Sequence, residues 1–329
     1  METTLDLRRW QEKPASVAYR RWVIVSTGLR QLMRTRFFQI LLFLAWTAGV
    51  LIAAAGFIFT QSLTSGGWLE SFAASLGPKP QAVVSAFCAM VLLYPDICIG
   101  GLFTTVFWAH SSIGLGLSLV ALSVVVPRLI AQDRASNALT IYLSRPLTPF
   151  DYLLGKLGII VGVLLLLWTG PLLFGWVLSM AFAPGSDFFV YSMGPLCRAL
   201  LFNSVGLVTL ASVALGVSSL GKTSRTVVPL WIAVWVVAGA IASIPTTPGF
   251  VRVASFSHDL TEVRKSIFRL DEVLKKAGET LPLSNRKMAD SMVRVGEHEQ
   301  SHSATGAYLG LAAIVTVSSV VFSRKLRPE

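Results

Sequence analysis

Long uncharged apolar runs alternate with short polar segments along this chain. Each of six runs extends over about 20 residues, which as an α-helix crosses a hydrocarbon core roughly 30 Å thick. The runs are too long for barrel strands and lack the alternation of such strands, so that in lipid only helices satisfy their backbone. The pattern therefore predicts an all-α polytopic membrane protein with six transmembrane helices, at Phe37–Thr60, Phe103–Pro127, Leu157–Ala181, Ala199–Leu220, Thr226–Ile244 and Ala304–Phe322.

Three further segments have helical patterns that do not predict spans. The apolar run Ala82–Tyr94 is too short to cross, so we expect a re-entrant or interfacial helix before the second span. Residues 15–36 mix aromatic and aliphatic side chains with arginines at helical spacing, which favours a helix in the membrane interface. Residues 258–278 carry one apolar stripe and end at Gly278, which predicts a single amphipathic helix packed on the ends of the spans.

Composition and charge agree with a membrane protein and give it an orientation. The chain is 53% hydrophobic and 14% charged, with a mean hydropathy of +0.66, which excludes a soluble domain. The two tails and the second and fourth inter-span loops carry 17 of the 28 Lys and Arg residues. The positive-inside rule therefore predicts cytoplasmic termini in the cell (inner or plasma) membrane. The net charge of +11 is then a topology signal, and we expect no nucleic-acid partner.

These patterns divide the chain into three parts. Residues 1–36 form a basic cytoplasmic tail with its interfacial helix, and residues 324–329 form a second cytoplasmic tail. Residues 37–323 form one six-helix transmembrane domain, in which residues 245–303 are an external loop. The three cysteines show no C-x-x-C spacing, so the sequence predicts neither a disulfide framework nor a metal cluster.

The segment GVSSLGKT, residues 216–223, satisfies the phosphate-loop pattern G-x-x-x-x-G-K-[ST]. A phosphate loop joins a strand to a helix in a soluble α/β domain, whereas this segment joins two membrane-length runs. The next acidic residue, Asp259, follows the whole of the next span, so no strand-end carboxylate is available for magnesium. We interpret the segment as a short cytoplasmic turn.

The segment HEQSH, residues 298–302, matches the zinc-protease pattern H-E-x-x-H. His298 and His302 would bind zinc and Glu299 would activate water, but a catalytic zinc needs a third protein ligand. Only upstream residues such as His258, Asp259 or Asp290 could provide it. A membrane-bound zinc metalloprotease therefore stands as an alternative hypothesis. An ion-coupled secondary carrier is a further alternative, because Asp96 lies next to an apolar segment.

The polar segment between the second and third spans, residues 128–156, has strong helix-start signals. Thr148 is a good N-cap, Pro149 suits the first helical position, and Asp151 stands where a capping-box carboxylate belongs. Upstream, the sequence predicts a helix that leaves span two, breaks near residues 136–137 and turns at Arg145–Pro146. The result is a helical elbow on the cytoplasmic side.

This segment, IAQDRASNALTIYLSRPLTPFDYLLGK, resembles the permease subunits of ABC-2 type transporters in its acidic–basic pair, its LSRP turn and its Y-x-x-G-K sequence. The N-terminal LRQLMRTRFF, the six-span layout and the short turn between spans four and five are similar to that family too. The resemblance implies a permease subunit of an ATP-driven exporter, without catalytic residues, metal or cofactor of its own. It implies two protein partners in the bilayer: a separate ATP-binding cassette ATPase subunit and a second permease chain, identical or related. The elbow would couple to the ATPase through Gln132, Asp133, Arg134, Arg145, Pro146, Asp151 and Lys156.

Overall fold

A computed structural model describes residues 16–64, 66–131, 133, 148–183, 185–221, 223–244, 246–252, 254–281, 286–298 and 304–325. These residues form helices and connecting turns, with no β-strand among them, so the prediction of an all-α protein is confirmed. The helices are α1 (Val17–Met33), α2 (Arg36–Ser62), α3 (Trp68–Ser75), α4 (Pro78–Leu93), α5 (Asp96–Gly100 with Gly101–Leu129), α6 (Pro149–Leu164, Leu165–Thr169 and Gly170–Ala181), α7 (Asp187–Leu220), α8 (Ser224–Ile232, Ala233–Val237 and Ala238–Ala242), α9 (Gly249–Arg252), α10 (Phe256–Phe268), α11 (Leu270–Thr280), α12 (Arg286–His298) and α13 (Ala304–Lys325).

Six of these helices are long and apolar enough to cross a membrane, namely α2, α5, α6, α7, α8 and α13. They contain the six predicted runs, apart from the last two residues of the fifth, because α8 ends at Ala242. Helices α5, α6 and α7 begin well before the apolar runs inside them. Their first turns hold the acidic residues Asp96, Asp151 and Asp187, and hydropathy alone does not mark such turns. The chain is therefore a multi-pass membrane protein.

Helix α2 packs closely along the second half of α6 through small residues. A methyl group added at Gly175 would lie 2.6 Å from the carbonyl oxygen of Gly49, and one at Gly49 would lie 2.6 Å from that of Pro171. One turn further on, Gly56 faces Ser179, whose hydroxyl donates to the Gly175 carbonyl at 2.8 Å. Without a side chain between them, the two backbones approach each other closely, which is the usual means of association for helices in lipid.

The centre of the bundle is formed by α5, α6 and α7 around Trp168. The indole of Trp168 is buried between two residues without side chains, Gly114 of α5 and Gly206 of α7. Its backbone carbonyl accepts a hydrogen bond from Nε2 of the buried His110 at 2.9 Å, so that nitrogen carries a proton. This hydrogen bond satisfies a ring nitrogen of His110, which lipid could not solvate.

Three of the spans contain a π-helical turn, at Asp96–Gly100, Leu165–Thr169 and Ala233–Val237. In the second of these, the N–H of Gly170 donates to the carbonyl of Leu165, five residues earlier. Such turns insert one extra residue into an α-helix without ending it. The spans therefore remain continuous while the direction of their side chains shifts.

In the loop after α8, residues 256–280 form two amphipathic helices where the sequence predicted one. Arg269 adopts a left-handed conformation with φ 48° and ψ 48°, and it separates α10 from α11. The prediction of a single helix over 258–278 is therefore wrong. The break turns the chain, and Leu260, Val263, Phe268 and Leu270 are buried as a result. The prediction that this segment packs on the spans is confirmed, since α10 contacts α5, α7, α8 and α13.

Two short helices, α3 and α4, join α2 to α5. Helix α4 covers the predicted short run Ala82–Tyr94 except for its last residue, and it ends before Pro95, so a separate helix at this position is confirmed. It has 16 residues and packs mainly against α3. Its side chains are mostly exposed, with Cys88 and Val91 buried.

Candidate coupling site

The first turn of α6 is fixed by a complete capping box. The hydroxyl of Thr148 accepts a hydrogen bond from the backbone N–H of Asp151 at 3.1 Å. The Asp151 carboxylate in turn accepts from the Thr148 hydroxyl at 2.7 Å and from the Thr148 backbone N–H at 3.3 Å. Both orphan donors at the helix start are thereby satisfied, and a carboxylate lies at the positive end of the helix dipole. The predicted helix start is confirmed at the predicted residues.

The same carboxylate ties α6 to the N-terminal helix. Nε of Arg21, in α1, donates to Oδ1 of Asp151 at 2.8 Å, and Nη2 of Arg21 contacts the same oxygen. The contact joins residues 130 positions apart along the chain. Arg21 was not predicted as a site residue, because its sequence signal was only that of a basic helix in the interface.

Below this contact, α1 lies against a row of glycines on α6. A methyl group added at Gly155, Gly158 or Gly162 would lie 2.8, 2.5 or 2.7 Å from side chains of α1. The glycines are spaced three and four residues apart, so they occupy one face of the helix. This small-residue face lets an aliphatic stripe of α1, formed by Ile24, Val25 and Leu29, seat directly on α6.

The end of α5 is joined to α6 by an ion pair. Nζ of Lys156 lies 2.7 Å from Oδ2 of Asp133, and the side chains are 11% and 16% exposed, respectively. The hydroxyl of Tyr152 donates to the same Oδ2 at 2.7 Å, and the Lys156 ammonium lies 5.4 Å from the centre of the Tyr152 ring. A carboxylate that receives both a charged and a neutral donor is well stabilised at low exposure. Tyr152 belongs to the quoted Y-x-x-G-K sequence but was not predicted as a site residue.

The structure thus brings three of the predicted coupling residues into two linked contacts. Asp133 pairs directly with Lys156, and Asp151 lies one and a half turns before Lys156 on the same helix. The other four predicted residues, Gln132, Arg134, Arg145 and Pro146, lie outside the described residues, as does the elbow itself. The described part of the site is a junction of α1, α5 and α6 at one end of the bundle.

The residues of the two alternative hypotheses lie at other places. His298 is the last residue of α12, and Glu299 to His302 lie outside the described residues. In the part of the chain that the structure describes, no group of three His, Cys, Asp or Glu side chains is arranged to hold a metal ion. Asp96, the residue of the carrier hypothesis, is 67% exposed at the start of α5 and pairs with Lys276 at 2.8 Å. It is therefore an exposed carboxylate with a cationic partner.

Most residues of the phosphate-loop pattern lie in a helix. Gly216 to Leu220 form the last turn of α7, and Gly216 packs on Ser318 of α13. Gly221 follows the helix, Lys222 lies outside the described residues, and α8 begins at Ser224 with Thr223 as its N-cap. This arrangement agrees with the interpretation as an inter-span turn, because the backbone N–H groups of a helical turn are not free to cradle phosphate.

The sequence matches no protein-family model and shows no significant similarity to any curated protein.

Proposed function

We propose that this chain is a permease subunit of an ATP-driven, ABC-2-like exporter. It would form the translocation path with a second permease chain, while a separate ATP-binding cassette subunit hydrolyses ATP. The six candidate spans and the residues that resemble the ABC-2 permeases in segment 128–156 support this proposal. The proposed location is the cell (inner or plasma) membrane, with both termini in the cytoplasm.

The observation that carries the proposal is the junction at the ends of segment 128–156. The Asp133–Lys156 pair joins the end of α5 to α6, and the Arg21–Asp151 contact joins α1 to α6. A force applied to the elbow between residues 133 and 148 would act on α5 and α6 together, because the two helices are fixed to each other where the elbow begins and ends. Coupled rigid-body motion of packed helices is a recognised form of conformational change between accessible states.

The proposal also gives places to the short helix α4 and to the external loop. Helix α4 is too short to span and would lie re-entrant or at the outer interface, next to the start of α5. Helices α10 and α11 would cover the outer ends of the spans.

The orientation of the chain in the membrane can be measured directly with single cysteines placed at Ser16 and at Gly249 in a background without the three native cysteines. On intact cells a membrane-impermeant maleimide should label the cysteine at 249, and it should label that at 16 only after permeabilisation.

The coupling role is tested by co-purification of the full-length chain from native membranes. We expect an ATP-binding cassette protein in the complex, with ATPase activity that falls several-fold in the Asp133→Ala and Arg145→Ala variants. Lys276→Ala is the matched control, since it removes an ion pair at an exposed position outside the predicted coupling set. A complex without an ATPase, or ATPase activity that is unchanged in both the Asp133→Ala and the Arg145→Ala variants, would refute the proposal.

A further inference from the structure

A cavity of about 320 Å³ lies between α1, α5 and α6 at the coupling junction. Its walls are aliphatic on three sides, with Ile24 from α1, Val125 from α5 and Ile159 from α6. Polar groups stand along the same cavity: Thr27 and Gln31 on α1, Arg128 on α5 and the Asp133–Lys156 pair. The cavity therefore offers an apolar lining together with cationic and neutral hydrogen-bond donors, which is the composition of a site for an amphiphile.

The charges around the cavity do not cancel. Lys156 is paired with Asp133 at 2.7 Å, so these two side chains contribute no net charge. Arg128 is exposed, and it makes no hydrogen bond or ion pair with the residues that the structure describes. One guanidinium therefore remains available at the cavity, and its geometry suits bidentate binding of a phosphate group.

The position of the cavity along the bundle points to the headgroup region of a bilayer. Arg128 lies in the last turn of the candidate span α5, and α1 is a separate helix that packs beside α6. Tyr19 and Trp22 of α1 are 59% and 62% exposed, although both are aromatic. Exposed aromatic side chains next to arginines are characteristic of helices at the membrane–water interface.

We infer that this cavity binds the headgroup of an anionic phospholipid, with the lipid phosphate on Arg128 and the lipid glycerol region beside Thr27 and Gln31. The first carbons of the acyl chains would lie along Ile24 and Ile159. A volume of this size is at the lower end of small-ligand sites, about 300–1,000 Å³. It takes a headgroup and leaves the rest of the chains in the bilayer. This inference does not depend on the proposed transport function.

The lining favours a lipid over other anions and over other lipids. A free phosphate ion would leave the aliphatic walls in contact with water, whereas acyl carbons would cover them. A choline headgroup would place a second cation near the unpaired Arg128 and lose the charge complementarity that an anionic headgroup retains.

The inference is tested by native mass spectrometry of the delipidated full-length protein. The protein is titrated with phosphatidylglycerol and with phosphatidylcholine of the same acyl chains. We expect one phosphatidylglycerol to bind about tenfold more tightly than phosphatidylcholine, a difference of about 1.4 kcal/mol. Arg128→Gln should abolish this preference. Arg30→Gln should retain it, because Arg30 is an exposed arginine of α1 that does not line the cavity.

A second variant tests the cavity apart from its charge. Thr27→Leu replaces a polar side chain that lines the cavity with a larger apolar one, and it should lower the affinity for phosphatidylglycerol several-fold. Thermal unfolding of the variant shows that the fold is kept. An equal preference for phosphatidylglycerol in the wild-type protein and in the Arg128→Gln variant would overturn the inference. Equal losses in the Arg128→Gln and Arg30→Gln variants, or displacement of the lipid by inorganic phosphate at the same concentration, would overturn it too.

Discussion

Lys156 on α6 and Asp133 beyond the end of α5 form an ion pair with an N–O distance of 2.7 Å. Both side chains are less than one fifth exposed, and the Tyr152 hydroxyl donates to the same carboxylate oxygen. The pair fixes the two ends of segment 128–156 against each other at the edge of the spans. The contribution of this ion pair to stability can therefore be measured on the protein itself, without knowledge of any transported molecule.

We expect Lys156→Met to lower the free energy of unfolding by about 1–3 kcal/mol, because it removes the ammonium that pairs with the Asp133 carboxylate at low exposure. Asp133→Asn should cost a similar amount. The double variant should lose clearly less than the sum of the two single losses, since it removes the unpaired charge together with its partner. Unfolding in detergent, followed by intrinsic tryptophan fluorescence, checks these values. Additive losses would show that the two side chains do not stabilise each other.

The glycine face of α6 should determine where α1 lies. Gly158→Leu places a large side chain where Val25 packs, and we expect α1 to be displaced, with a loss of about 1–3 kcal/mol. The measurement is hydrogen exchange over α1, which should become faster. Gly116→Leu is the matched control, because Gly116 in α5 is exposed and a methyl group added there meets nothing within 4 Å. Unchanged exchange in the Gly158→Leu variant would contradict the packing of α1 on this face.

The capping box at the start of α6 should contribute measurably to stability. Thr148→Ala removes the side-chain acceptor for the Asp151 N–H and should lower the free energy of unfolding by about 1 kcal/mol. Thr223→Ala at the start of α8 is the control, since Thr223 is an N-cap residue without a side-chain cap bond. Thermal unfolding of both variants gives the comparison. An equal effect at the two positions would rule out a specific contribution of the capping box.

Asp259 in α10 should make stability depend on pH. It is 1% exposed, neither carboxylate oxygen has a hydrogen-bond partner among the residues that the structure describes, and burial together with the nearby Glu262 raises its pKa to about 7. Between its ordinary pKa and this raised pKa the folded state holds a proton that the unfolded state has lost. Stability should therefore fall as the pH rises from about 4 to about 7, by at most about 1.4 kcal/mol per pH unit.

The Asp259→Asn variant should lose this dependence, because an amide stays neutral at every pH. It should match the wild-type protein at pH 4 and exceed it in thermal stability at pH 8. Glu272→Gln, at an exposed position of α11, should leave the pH profile of the wild-type protein in place. A wild-type profile that is flat between pH 4 and pH 7 would contradict the assignment of a neutral, buried Asp259.

The sequence predicted the spans well because length and hydropathy are local properties. The capping box was equally accessible, since Thr148 and Asp151 are three residues apart. Arg21 was missed, because a contact with Asp151 over 130 positions leaves no local trace. The break at Arg269 was also missed. Its left-handed backbone occurs at a residue that is not glycine or asparagine, and burial of the neighbouring apolar side chains offsets the local cost.

The π-helical turn at Leu165–Thr169 determines how α6 would respond to the deletion of a residue. The glycines before this turn face α1, and Gly175 after it faces Gly49 of α2. Helix α6 therefore packs against two different helices, one before the turn and one after it. Deleting a single residue there would rotate Gly170–Ala181 by about 100° about the helix axis. Gly175 would then no longer face Gly49 of α2. Natural variants of this protein should therefore preserve the residue count of the turn as well as its buried Trp168.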